Sequence, residues 1–332
     1  MSRGGDAVFV HEPVMPIEVV ELAAAVPEGS LVLDATLGGA GHALRLLESR
    51  PDLRLLGLDQ DDDALIAAER VLAPQRHRVT LARANFARLS DVLAEHADGE
   101  QPGFVLFDLG VSSPQLDRAE RGFSYRAAAP LDMRMDQRAP LTAAAVVNDT
   151  PEPDLLRLLV RGGEDRFAPR IARAIVAARP LTTTAQLAEV VRDAIPAPAR
   201  RKGGHPAKRT FQAVRIAVNA ELDVLPTALA SALDVVAPLG RIVVLSYHSG
   251  EDRLVKAAFV NAETGGCTCP PGLPCVCGAA PTVRLLNRGA RKASAEEITR
   301  NPRAESVRLR AVERLAAPPS PSAPEEVLPE VH

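Results

Sequence analysis

Tryptophan is absent from this 332-residue chain, tyrosine occurs twice, and aromatic residues make up 3% of it. Any stacking on bases must therefore use a few rings, among them Phe86, Phe123, Tyr125, Phe211 and Tyr247. Lysine is scarce too, at positions 202, 208, 256 and 292 only. Arginine supplies the other basic residues, a bias that reads first as genome composition and points to no partner. Nor is there an excess of positive charge. The 39 basic and 42 acidic residues leave a net charge of -3 and a pI near 6.2, which gives no global sign of nucleic-acid binding. No segment approaches the roughly 18 uncharged apolar residues of a membrane span. The opening MSRGGDAVFV has no apolar signal core. The expectation is a cytoplasmic protein with no membrane partner. All four cysteines fall between Cys267 and Cys277, whereas a secreted disulfide framework spreads them along the chain.

What is present is enough apolar sequence, 46%, for a substantial core, and a length that suggests two domains. From Leu31 to Asp108 short apolar runs alternate with amphipathic stretches, the signature of a parallel α/β sheet. Strands are predicted at Leu31–Asp34, Leu53–Asp59, Arg78–Leu81 and Gly103–Asp108, with helices at His42–Glu48, Asp62–Leu72 and Phe86–His96. A polar stretch from Gly110 to Pro140 leads into helical pattern from Leu141 to Ile195, with starts near Thr150-Pro151 and Thr184. A further helical pattern, Phe211 to Val236, is interrupted at Pro226 and followed by a buried strand, Arg241–Ser246, that would complete the sheet. This predicts a discontinuous domain, 1–118 with 210–315, interrupted by a helical domain at 119–209. A Pro- and Glu-bearing tail at 316–332 reads as disordered.

Between the first strand and helix lies Asp34-Ala-Thr-Leu-Gly38-Gly39-Ala40-Gly41-His42, where small residues let backbone N–H groups approach a ligand. Asp59, ending the second strand, stands where a ribose hydroxyl pair would be held. NAD and S-adenosylmethionine both fit such a crevice. The dinucleotide pattern G-x-G-x-x-G fails, however, because Gly39-Ala40-Gly41 is followed by His-Ala-Leu44. Phe86, after the third strand, fits either an adenine face or a core position. After the fourth strand, Asp108-Leu-Gly-Val-Ser112-Ser113-Pro114-Gln115-Leu-Asp117 gathers acid, hydroxyl and amide groups at the sheet edge where ligands bind.

These stretches resemble the RsmH/MraW-type small-subunit rRNA (cytosine-N4)-methyltransferases. So do His11-Glu-Pro-Val14, Arg121-Gly-Phe-Ser-Tyr125, Pro130-Leu-Asp-Met-Arg-Met-Asp136, Gly163-Glu-Asp-Arg-Phe167, His205-Pro-Ala-Lys-Arg-Thr-Phe-Gln-Ala-Val-Arg215 and Ser246-Tyr-His-Ser-Gly-Glu-Asp-Arg253. The matches run in order along the chain and leave out mainly the tail. The resemblance implies a Rossmann-like class I sheet that binds S-adenosyl-L-methionine (AdoMet), with an inserted helical domain that recognises substrate. It also implies transfer of a methyl group to the N4 amine of a decoding-centre cytosine in 16S rRNA, within the small ribosomal subunit. The family's cofactor contacts carry over to Ala40, Gly41, His42, Asp59, Phe86, Asp108 and Gln115. The chain departs from the pattern at Tyr247, where Phe is familiar, and at Gly250, where Leu is familiar.

An exocyclic cytosine amine is a weak nucleophile, so it must be aligned and its N–H groups must find acceptors. Asp108, or a carbonyl beside it, is the catalytic candidate, with Ser112 and Ser113 as helpers; the competing role for Asp108 is cofactor contact alone. Methylation at carbon five would need a cysteine near the crevice, and no strand end carries one. His248 follows the last strand and fits either substrate contact or a local hydrogen bond.

Positive charge is local. Arg200, Arg201, Lys202, Lys208, Arg209 and Arg215 lie in a stretch without acids, and Arg284 to Arg314 is a second basic run. Either is an RNA contact or a solvated face. The pairs Cys267-Thr-Cys269 and Cys275-Val-Cys277 fit zinc or a surface loop of reduced thiols, so the metal stays unassigned. Competing functions are amino-methylation of another nucleic acid and a non-catalytic rRNA-binding assembly factor.

Overall fold

The computed structural model describes residues 12–200, 204–270 and 276–316. His11, Arg201, Lys202, Cys275 and the tail from 317 lie outside them, as does the side chain of Ser113. Seven strands form one sheet: β1 (Leu31–Asp34), β2 (Arg54–Asp59), β3 (Val79–Arg83), β4 (Phe104–Asp108), β5 (Arg241–Ser246), β6 (Val283–Leu285) and β7 (Arg308–Arg314), in the order β3-β2-β1-β4-β5-β7-β6. β1 to β5 are mutually parallel; β7 runs antiparallel to both β5 and β6. This is an α/β Rossmann-like sheet.

The central strands are apolar almost throughout because helices cover both faces. Alternate residues supply two separate layers. Leu33, Val105, Phe107 and Val244 meet Leu229 and Phe259 on one face, while Val32, Phe104, Leu106 and Val243 meet Val19, Leu46 and Leu72 on the other. The chain runs outwards from β1 to β3 and then returns to place β4 on the other side of β1. The sheet therefore has its switch point, and a crevice, at the carboxyl ends of β1 and β4.

Two sequence expectations are corrected. β5 does not complete the sheet, because β7 and β6 extend it. β7 reads RLRAVER, an alternation in which Leu309 and Ala311 are buried between charged residues, so it looks like a basic run unless read at period two. The second correction concerns the break in the helical pattern after Phe211. It falls at Asn219–Ala220, where Ala220 adopts φ 51° and the helices Lys208–Val218 and Glu221–Val235 meet at 60°. Pro226 is accommodated inside the second helix.

A third apolar cluster runs from Phe123 to Val218 and is built by the helices Ala143–Asp149, Glu152–Arg161, Ala168–Ala177, Thr184–Ala194 and Lys208–Val218. By packing, the helix Lys208–Val218 belongs with this helical layer through Phe211, Ala213 and Val214. Thr183 starts one of these helices with a reciprocal capping box to Gln186. Among the described residues no single helix is long and apolar enough to cross a membrane.

Candidate active site

Three parallel strands end on an aspartate, and the three carboxyl groups converge: Asp34 closes β1, Asp59 closes β2 and Asp108 closes β4. They line a cleft of about 770 Å³ together with Gly38, Gly41, His42, Phe86, Gln115 and Tyr247. Burial pushes Asp34 up to about 7, with Asp108 and Asp59 adding like-charge repulsion. It also raises Asp59 to about 6, against the N–H donors of Asp61 and Gly38. Asp108 is pushed up to about 7 by burial, partly offset by the hydrogen bond from Tyr247. Its side chain is 27% exposed and lines the cleft.

The glycine loop turns through two left-handed residues, Gly38 at φ 51° and Ala40 at φ 62°. The Gly38 N–H donates to Asp59 Oδ2 at 2.8 Å, fastening the loop to the end of β2, and the Asp61 N–H donates to Asp59 Oδ1 at 2.9 Å. The helix Gly41–Ser49 begins with no side-chain cap, and Gly41 and His42 face the cleft. Its first N–H groups are thus placed to receive an anion. Gly41 is also close-packed, since a Cβ there would lie 3.3 Å from Pro13.

His42 is 5% exposed, and neither ring nitrogen has a hydrogen-bond partner within the protein. Burial lowers it to about 4, so the ring is neutral at pH 7 and its Nε2, 3.6 Å from Asp108 Oδ2, forms no ion pair there. The Tyr247 hydroxyl donates to Asp108 Oδ1 at 2.7 Å, and the Asp108 N–H donates to Thr36 Oγ1 at 2.6 Å.

Of the sequence-predicted residues, Gly41, His42, Asp59, Phe86, Asp108 and Gln115 all line the cleft. Ala40 does not: it is wholly buried in an apolar layer, and its contribution is the backbone turn. Phe86 takes the core position, packing edge-on against Phe107 at 6.0 Å, and it also lines the cleft. Gln115 is 3% exposed and both ends of its amide are engaged within the protein. Its Oε1 accepts from the Ser112 N–H at 3.0 Å, and its Nε2 donates to Asp61 Oδ2 at 2.9 Å.

Sequence reasoning missed Asp34, whose signal was available in the repetition of LVLD, LLGLD and FVLFD. It also missed the buried network in which Arg121 donates to Asp61 at 2.8 Å and to Asp63 at 2.9 Å. No local signal joins residues so far apart in the chain. His248 settles into the local role: its Nδ1 accepts from the Gly250 and Glu251 N–H groups and caps the helix Ser249–Thr264. Gly250 fits beside it, because a Cβ there would sit 3.1 Å from the His248 ring.

The basic stretches are less free than their charge suggests. Arg215 is paired with Glu221 at 2.8 Å beside the cleft, and Arg200 donates to the Ile195 carbonyl at 2.6 Å. In the second stretch Arg284 pairs with Glu313, Arg300 with Glu12, and Arg308 and Arg310 with the buried Asp252. Lys208 lines the cleft and also an adjoining recess with Arg126, Tyr125 and His205, the last two stacked at 4.2 Å.

The model of the MraW methylase family matches residues 8–315. A "Ribosomal RNA small subunit methyltransferase H" from Mycobacterium sp. (strain KMS) is 56% identical over 293 residues, covering 88% of this chain and 78% of the relative. A protein of the same name from Symbiobacterium thermophilum is 52% identical over 314 residues, covering 93% and 98%. Among solved structures, an rRNA methylase from Streptococcus thermophilus superposes with a TM-score of 0.41 at 11% identity, covering 90% of this chain and 95% of that one.

Proposed function

This chain belongs to the MraW methylase family, and from that premise we propose that it methylates 16S rRNA at the N4 amine of a decoding-centre cytosine, within the small ribosomal subunit, using AdoMet. AdoMet, when bound, supplies an electrophilic methyl group on a sulfonium centre. The residues present fit it. The uncapped start of the helix Gly41–Ser49 suits a carboxylate, Asp59 suits a ribose, Phe86 offers a ring, and His42 holds two nitrogens without protein partners. Three converging carboxyl groups favour a cationic ligand and would repel a dinucleotide's pyrophosphate.

The observation that carries the reading is the Asp108 carboxyl at the cleft. Tyr247 engages Oδ1, leaving Oδ2 to accept an N–H of the target amine and orient its nitrogen. Methylation leaves that nitrogen with a surplus proton. An acceptor poised near neutrality is matched to taking it, and burial holds Asp108 at about 7. None of the described cysteines lines the cleft, so among the described residues carbon-five chemistry has no thiol nucleophile there.

The test is single-turnover methylation of small-subunit RNA followed by nucleoside mass spectrometry. N4-methylcytidine is the expected product. Asp108→Asn is expected to slow transfer by about 10²- to 10⁴-fold. Transfer within a few-fold of wild type, or 5-methylcytidine as product, would overturn the assignment.

A further inference from the structure

Away from the cleft, one group of cysteines brings its sulfurs together. The Sγ atoms of Cys267, Cys269 and Cys277 lie within 4.8 Å of one another, and those of Cys267 and Cys277 are 3.7 Å apart. A disulfide would require about 2.05 Å, whereas two thiolates on one tetrahedral zinc, at about 2.3 Å each, stand roughly 3.8 Å apart. We propose that Cys267, Cys269 and Cys277 bind a structural zinc ion.

The backbone is shaped for this. Gly265 and Gly266, at φ 62° and 72°, turn the chain out of the helix Ser249–Thr264, and Gly278 at φ 72° turns it back. The Thr282 N–H donates to the Ala262 carbonyl at 3.0 Å, so the excursion leaves and returns at one point. Yet Val276 is 89% exposed, and none of the described residues between Gly265 and Val283 joins the three apolar clusters. Ordering these residues costs conformational entropy that their own apolar burial does not offset, a cost that metal ligation would offset. Because none of the three cysteines lines the cleft, the ion's role is to hold the segment that feeds β6.

Full-length protein purified under reductant is expected to carry about one zinc per chain by elemental analysis. Cobalt(II) added to the metal-free protein is expected to give a thiolate charge-transfer band and the intense visible absorption of a tetrahedral site. Cys267→Ser with Cys269→Ser should lose both signals. Wild-type protein that takes up neither metal, a double variant that retains full zinc, or a Cys267–Cys277 disulfide persisting under reductant would overturn the proposal. Should the double variant fail to fold, the cobalt spectrum of the wild type decides by its presence or absence. Either result leaves the methyl-transfer reading to its own test.

Discussion

A carboxyl group held near neutrality is costly to build, and this chain builds three of them side by side. At Asp108 the cost has a readable consequence. Only the ionised form accepts a proton, so transfer is expected to fall as pH drops through about 7 and to level off above it. The Tyr247 hydroxyl stabilises the ionised form. Tyr247→Phe removes that donor, so Asp108 rises further and the ascending limb of the pH profile moves to higher pH. Single-turnover rates between pH 6 and 9 check both points; a flat profile, or a limb moving to lower pH, would refute them. His42 does not mask the limb, because burial keeps its own protonation down near 4.

At the scale of elements, the site depends on how the loop after β4 is tied to the rest of the sheet. Arg121, whose side chain is 5% exposed, fastens the start of the helical layer to Asp61 and Asp63 at the head of the helix Asp62–Leu72. Gln115 reaches the same Asp61. Removing the guanidinium leaves a buried carboxylate uncompensated. Arg121→Met is therefore expected to lower stability by about 3–5 kcal/mol in denaturant titration, with much of the loss recovered in Arg121→Met with Asp61→Asn. A loss below about 1 kcal/mol would mean that water replaces the pair.

For the whole molecule, charge is sorted by folding. In the run from Arg284 to Arg314, Arg284, Arg300, Arg308 and Arg310 are paired with Glu313, Glu12 and Asp252, whereas Lys208 remains at the cleft and its neighbouring recess. Neutralising Arg200, Arg201 and Lys202 together is expected to weaken RNA binding and to reduce its salt slope by about one for each phosphate no longer neutralised. Arg308→Gln with Arg310→Gln is expected to leave that slope in place and lower the thermal midpoint instead, since it strands Asp252. Binding measured across a salt series, beside melting curves, separates the two outcomes. An unchanged slope in the first variant would remove that stretch from the interface.

The sequence by itself determined β1, β2, β4 and β5, because strands covered on both faces must be apolar runs, and it placed Asp59 and Asp108 at their ends. Its small-residue loop and its motifs also carried the family. Only the tertiary structure decided that Asp34 joins those two acids, that Arg121 and Asp61 form one buried pair, and that Arg215 serves Glu221. Only it showed the Arg284–Arg314 run to hold two strands, and three cysteines to converge. The division has a physical cause. Periodicity and turn chemistry act between residues a few positions apart, whereas desolvation, ion pairing and the convergence of thiols depend on which distant segments the fold brings together.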